Sequence, residues 1–509
     1  MNTSACRPFG VLFGWPVPRA MVRPLLAWGL LVLLGGGILR APLGAAAVRP
    51  NVLFIAIDDL NDWAGCLGGH PQARTPNLDR LAASATLFTN TQCPAPWCNP
   101  SRTALLTGLS PATTGIYHHQ QIPWRQAALL KGAVTLPQYF RQQGYVVTGA
   151  GKIFHHANEA QDPVSWDSYW PAQDRCMPRD RPPAGKKPFC GALIRDGEVD
   201  WAPLDRPKEE MADWQIAAHV SAQLKQKYDR PFFIACGFFR PHLPWFAPRE
   251  YFDLFPVDQI VLPVVKVGDL DDVSPAARAA VRAGGAFAEI QRAGLWRHAV
   301  QAYLACMTFA DDCLGEVLRT LDESPHAKNT IVVLWSDHGW HLGEKEHWEK
   351  VSLWERATKC VLVVRAPGLP PGRAHAPVNL IDVYPTLLDL AGLPPKQGLE
   401  GDSLVPWIRD PNLGRARPAL TTFGPRNHAL RSERWHFIRY ANGDEELYDH
   451  WADPHEWTNV ATLPQFAAVK AAMSEWFPKV NAPPLLEPSA MKTGRDALIY
   501  LIGSGQPVK

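Results

Sequence analysis

The chain has 509 residues, of which 46% are hydrophobic and 20% charged, with a formal net charge of +2. That length exceeds the roughly 250–300 residues at which a single core stops growing, so two domains are expected. The near-neutral balance, with scattered basic residues, excludes electrostatic capture of nucleic acid as its business.

In chain order, Arg19 and Arg23 precede an apolar run over residues 24–39, and Gly44, Ala45, Ala46 and Ala47 follow. A basic stretch, an apolar stretch and small residues make residues 1–47 a signal peptide in outline, with Met21 as an alternative start. The apolar run falls short of the ~20 residues that span a bilayer. An uncleaved anchor stays open, and it would be the chain's one membrane contact. Export to a periplasmic, extracellular or lysosome-like compartment is expected. Residues 51–57 (Asn-Val-Leu-Phe-Ile-Ala-Ile) read as a buried parallel strand ending in Asp58 and Asp59. Thr75 as N-cap and Pro76 at the first helical position open a helix to about residue 85. Residues 101–107 favour a helix that Gly108 can stop, which puts Cys98 at or just before its N-terminus.

Strands follow at 145–148 and 232–236, and a long amphipathic helix at 299–321. A second strongly apolar strand, 330–335, leads to Ser336, Asp337 and His338. A strand at 360–364 and a helix at 383–391, closed by Gly392, complete an α/β alternation and so a mostly parallel sheet. In such sheets ligands sit beyond the carboxyl ends of the strands, where both acidic pairs fall. Residues 394–398 look like a linker. Short strands around 434–440 and 446–449 and a helix at 465–477 then suggest a small antiparallel sheet with a helix. The expected division is a catalytic part, 48–395, and a C-terminal α+β subdomain, 396–509.

Exported cysteines are candidates for disulfides. Cys176 and Cys190 bracket a loop rich in Pro, Lys and Arg, and a bridge closing it is expected. Cys306 and Cys313 lie two helical turns apart, too far to bond each other. No C-x-x-C pair exists, so zinc-finger readings fail. The basic pairs Lys186–Lys187 and Arg415–Arg417 read as solvated loops.

The most informative run is Cys98-Asn-Pro-Ser-Arg-Thr-Ala-Leu-Leu-Thr-Gly108. A thiol near a helix N-terminus with Arg102 beside it sits where negative charge is favoured. A buried structural cysteine is the competing reading, and the local sequence leaves both open. Asp58, Asp59, Asp337 and His338 would repel one another unless a cation held them, and an oxygen-rich set suits calcium or magnesium better than zinc. Lys152 and His155 follow a strand and a glycine turn. His242 lies between Pro241 and Pro244, a rigidity that suits a positioned group. Lys350 closes the run His347-Trp-Glu-Lys350. His341 and His347 have no assigned role and are expected to be solvent-exposed loop residues.

The Cys98 run resembles the signature of type I sulfatases. The resemblance extends over residues 50–395 and again over 446–459. It implies an alkaline-phosphatase-like α/β sandwich and conversion of Cys98 to formylglycine by a formylglycine-generating or anaerobic maturing enzyme. It also implies one Ca2+ held by Asp58, Asp59, Asp337, His338 and the residue at 98. Catalytic roles would fall to Cys98, Arg102, Lys152, His155, His242 and Lys350. His242 is then the first choice of general acid, Lys350 the second, and His155 takes the proton as sulfate leaves. The substrate would be a sulfated carbohydrate. Residues 151–155, 240–244 and 336–340 are most similar to the iduronate-2-sulfatase branch, whereas 115–125 and 269–294 depart from it. Two other readings stand beside this one: a phosphatase or phosphonate monoester hydrolase of the same superfamily, and an inactive secreted glycan-binding homologue.

Overall fold

The computed structural model describes residues 49–119, 124–155, 162–170, 180–194, 199–284 and 286–485. The expected signal segment and Cys176 lie outside them. From Arg49 the chain forms one compact unit.

At its centre is a nine-stranded sheet. Its strands are β1 (Asn51–Ile57), β2 (Thr86–Gln92), β3 (Val146–Gly151), β4 (Ser168–Trp170), β5 (Phe232–Phe238), β6 (Thr330–Ser336), β7 (Lys359–Arg365), β8 (Gly372–Ala374) and β9 (Val378–Asn379). They lie in the order β8-β2-β7-β6-β1-β5-β3-β4, with β9 also on β2. β7 runs against β2 and β6. The remaining pairings are parallel, as the α/β alternation implies.

The unbroken apolar run of β1 has a simple cause. Leu53, Ile55 and Ile57 enter a core with Ile216, Tyr303 and Leu314, while Val52, Phe54 and Ala56 enter another with Leu105, Leu106 and Leu387. Neither face meets water, so neither carries polar residues. The first core is supplied by helices α2 (Ala212–Leu224) and α3 (Trp296–Glu323); the second by α1 (Cys98–Thr107) and α4 (Val383–Leu390). Helix α3 is longer at both ends than its apolar periodicity suggests, and it buries Val300, Tyr303, Met307, Leu314 and Leu321 along one stripe. Leu314→Ala in that stripe would cost about 2–5 kcal/mol through lost transfer energy and a residual cavity.

Register delivers the functional consequence. Ile57 pairs with Ser336 on one side and Phe238 on the other, and Gly151 pairs with Gly237. The carboxyl ends of β6, β1, β5 and β3 are therefore level. Gly151 and Gly237 permit this: a Cβ on Gly151 would stand 2.0 Å from the Gly237 carbonyl oxygen, and one on Gly237 2.2 Å from that of Lys152. Only glycine fits such an approach.

A second sheet, β10 (Ala419–Thr422), β11 (His428–Arg431), β12 (Trp435–Arg439) and β13 (Glu445–Asp449), is antiparallel throughout. It packs on the first part directly: Thr421 Oγ1 donates to the Cys93 carbonyl at 2.6 Å and Asn379 Nδ2 to that of Leu420 at 2.8 Å.

Several local expectations need correction. Thr75 occupies the N-cap position, but its hydroxyl makes no cap bond; it accepts from Gly65 N (2.9 Å) and donates to Asp79 (3.1 Å). Arg415 is not solvated: it is 6% exposed and held between Asp382 (2.6 Å) and Asp402 (2.7 Å). Cys190 carries a free thiol that faces the Ala192 carbonyl at 3.4 Å. Cys306 and Cys313 are buried and free, as their spacing requires.

Candidate active site

Helix α1 begins at Cys98 itself, with Trp97 as an N-cap that makes no side-chain bond, and Gly108 ends it in the left-handed conformation (φ 73°). All ten of its residues are buried. Cys98 Sγ lies 3.1 Å from Lys350 Nζ, 3.2 Å from His338 Nε2 and 3.8 Å from Asp59 Oδ1. The helix N-terminus and two ammonium groups favour a thiolate, yet burial outweighs them and pushes the thiol well above its usual range. The two readings the sequence left open for this sulfur divide on magnitude: a helix terminus is worth about 0.3–1 kcal/mol, whereas desolvating an ion costs several.

Arg102, one helical turn on, makes four hydrogen bonds to groups at and just beyond the strand ends. Nε donates to Asp337 Oδ2 (2.8 Å), one terminal nitrogen to Asp58 Oδ1 (2.8 Å), and the other to the carbonyls of Lys152 (2.7 Å) and Ile153 (3.0 Å). Lys152 pairs with the second oxygen of Asp58, and Lys350 with Asp59 Oδ1 at 2.7 Å. Three buried carboxylates thus face three buried cations. Contrary to the expectation from sequence, the acids do not need a metal to offset their repulsion, because Arg102, Lys152 and Lys350 already do so. Burial alone would raise Asp58, but Lys152 and Arg102 hold it below the usual carboxylate range. Burial raises Asp59 despite Lys350.

Asp59 itself stands at φ 58°, a left-handed conformation that costs a non-glycine residue about 1 kcal/mol or more. Its amide donates to Asp337 Oδ1 (3.2 Å) and its carbonyl accepts from the Tyr303 hydroxyl (2.9 Å), so the surroundings hold it there. Lys350 is framed in the same way: Glu349 (φ 78°) and Val351 (φ 75°) flank it, and the Lys350 carbonyl accepts from His347 Nε2 at 2.8 Å.

Would a cation fit? Asp59 Oδ2 is buried and takes no hydrogen bond. His338 Nδ1 lies 2.9 Å from the Gly339 carbonyl, which can only accept, so the proton is on Nδ1. The Nε2 lone pair then points at Asp59 Oδ1 (3.3 Å) and Asp337 Oδ2 (3.6 Å). Burial keeps that ring neutral, the form that binds metals. One ligand atom each from Asp59, Cys98, Asp337 and His338 lies within 4.8 Å of the others, and a second grouping adds Asp58 and His242. An orphaned carboxylate oxygen and an inward lone pair among hard oxygens suit a hard divalent cation.

His242 stands at the rim. Its Nδ1 is 2.5 Å from the Leu243 carbonyl and its Nε2 3.9 Å from Asp59 Oδ2, and the side chain is 23% exposed where that of Cys98's partner Asp59 is 0%. Burial, then Lys152, push it down to about 3. Its loop is held by Asp213, which no motif announced, and by Arg240: Asp213 accepts from the amides of Phe239 (2.8 Å) and Arg240 (2.9 Å), and Arg240 Nε donates to the Phe246 carbonyl (2.7 Å). His155 stacks on the ring of His119. Ser101 Oγ, also missed, donates to the Asp337 carbonyl at 2.6 Å.

His341 and His347 are not exposed. His341 is buried with Nδ1 on the Glu344 carbonyl (3.0 Å) and Nε2 on Ser352 Oγ (2.9 Å), and it meets His347 edge-on. Both brace the loop that carries Lys350.

Comparison with known proteins agrees with this geometry. The family described as Sulfatase matches residues 50–393, and one described as N-sulphoglucosamine sulphohydrolase, C-terminal, matches residues 343–482. A sulfatase of Formosa agariphila is 39% identical over 458 residues, covering 85% of this chain and 87% of its own. Iduronate 2-sulfatase of Homo sapiens is 32% identical over 401 residues, covering 68% of this chain and 70% of its own. Among solved structures, a 2-O GAG sulfatase superposes with a TM-score of 0.65 at 21% identity, covering 84% of this chain and 90% of that one, and so shares the fold. By the extent of these matches, the chain belongs to the sulfatase family.

Proposed function

We propose that this protein hydrolyses a sulfate ester on a sulfated carbohydrate, with Cys98 converted to formylglycine and one Ca2+ held by Asp58, Asp59, Asp337 and His338. One observation carries the reading: the side chain at 98 opens a buried helix against a cationic and carboxylate cage with an unfilled oxygen. When present, the formylglycine hydrate supplies the nucleophile and the cation polarises the sulfate.

The chain's own groups do the rest. Arg102 fixes Asp58 and Asp337 relative to α1, so position 98 is held against the cage. Lys152 and Lys350 offer ammonium charge to the sulfate's equatorial oxygens, where negative charge builds in the transition state. His242, at the open side, is the proton donor to the departing sugar oxygen. Its ring is neutral before substrate arrives, and an anionic ester beside Nε2 raises its affinity for a proton. His155 takes up the proton given off by the nucleophile's remaining hydroxyl, the loss that lets sulfate leave. A uronic acid sulfated at O2 is the substrate we favour, on the likeness of 151–155, 240–244 and 336–340 to iduronate 2-sulfatase. An exported chain would meet such glycans outside the cytoplasm.

Two measurements test this. Peptide mass spectrometry across Cys98, after co-expression with a maturing enzyme, should find the aldehyde; a wholly unmodified thiol sinks the mechanism. Sulfate release should be faster from 2-O-sulfated uronides than from 6-O-sulfated hexosamines, and the reverse order would move the substrate.

A further inference from the structure

The segment 115–125 departs from the iduronate-2-sulfatase pattern, and the structure brings part of it to the active site. His119 lies face to face with His155, ring centroids 4.3 Å apart and planes within 8°. Trp97, the residue before Cys98, meets the same His119 ring edge-on at 4.6 Å. Asn99, the residue after Cys98, donates from Nδ2 to the carbonyls of His118 (2.9 Å) and His119 (3.5 Å). The first turn of α1 therefore grips His119 from both sides of residue 98, and His119 in turn covers one face of His155.

We infer that His119 is a positioning residue, which fixes the imidazole of His155 by stacking so that it can take the proton as sulfate leaves. The inference rests on the reading of His155 given above. An imidazole that must accept a proton at one atom loses efficiency if its ring rotates, and a misplacement of about 1 Å can cost 10²-fold. A flat neutral ring restrains rotation without competing for the proton. Burial first, then His155, Lys350, His118 and Lys152, hold His119 well below the usual imidazole range, so it stays uncharged against its neighbour. A second imidazolium at stacking distance would repel the one that forms on His155.

The test compares matured His119→Ala, His119→Phe and His155→Ala with the parent enzyme on nitrophenyl sulfate, with release of the phenol, nitrophenol, followed before the steady state. Phenol leaves before sulfate does, so a fault confined to the later step lowers kcat and KM together and leaves kcat/KM unchanged. For His119→Ala we expect kcat to fall about 10–100-fold, an initial burst of one phenol per active site, and kcat/KM within about 3-fold of the parent. His119→Phe, which keeps a flat ring and no nitrogen, should restore kcat to within about 3-fold. A parallel loss of kcat/KM without a burst, or a Phe variant as slow as the Ala variant, overturns the inference. If His155→Ala turns over like the parent, it is the role of His155 that fails. The stack is then judged by the crystal structure of His119→Ala, in which an unmoved His155 ring would refute it. Unchanged melting temperatures confirm that the variants are folded.

Discussion

Among the described residues, two separate places, the active site and one other, bring metal-binding atoms of four side chains to within 4.8 Å of one another. One is Asp59, Cys98, Asp337 and His338; the other is Glu355, His436, His450 and Glu456. Both are largely buried and both mix imidazole with carboxylate. Their hydrogen bonds separate them. In the second, Glu456 Oε1 accepts from His436 and from His450 (3.0 Å), and Glu456 Oε2 from the Glu355 amide (2.9 Å). Glu355 Oε2 accepts from Arg431 (3.0 Å) and Gln92 (3.3 Å). Its carboxylates are met by protein donors that tie β11 and β12 to the catalytic part. In the first, Asp59 Oδ2 accepts nothing. The lesson is that composition, proximity and an unpaired ring nitrogen, which His436 Nε2 also offers, do not distinguish a knot from a site; an unmet carboxylate oxygen does.

That contrast can be broken experimentally. Cys98→Ala should abolish sulfate release, by about 10⁴-fold or more, without unfolding the protein. Calcium content by mass spectrometry should fall from about one ion per chain to none in Asp337→Asn and stay unchanged in Glu456→Gln; loss of the ion in the second variant would erase the distinction. His242→Ala should slow a sugar sulfate by about 10²–10⁴-fold but nitrophenyl sulfate far less, because only the poor leaving group needs a proton. Equal losses on both substrates would move the acid elsewhere, Lys350 being next.

Glu456→Gln should act on stability instead, by about 2–4 kcal/mol in chemical denaturation, since it leaves buried partners unmatched. The pH dependence has a definite sign. Burial would raise Glu456, but His436 and His450 hold it well below the usual range. Its contribution is therefore full above the unfolded value of about 4.3 and is lost as pH falls toward the folded one. The parent should lose stability in acid more steeply than Glu456→Gln.

Strand ends were legible because a strand buried on both faces is an unbroken apolar run, and the first polar residues after it stand out. Asp58, Asp59, Asp337 and His338 were found this way. That four ends are level was not legible, since register depends on pairings between residues some 90 to 280 positions apart, such as Lys152 with Asp58 and Asp337 with Asp59. Histidines were the hardest to place. His341 and His347 are satisfied largely by backbone carbonyls, partners with no sequence signature, and so looked like loop residues. His436 and Glu456 were illegible for another reason: their side chains meet only when β12 and the turn after β13 come together.

The complete burial of position 98 also has a consequence for timing. Its neighbours come from strand ends and loops spread from Asp59 to Lys350, so the pocket closes only when that whole span has been made and paired. No second enzyme can reach the sulfur after that. An enzyme that converts Cys98 would therefore have to find it on a nascent or unfolded chain, and a molecule that folded first would be closed to it for as long as it stayed folded.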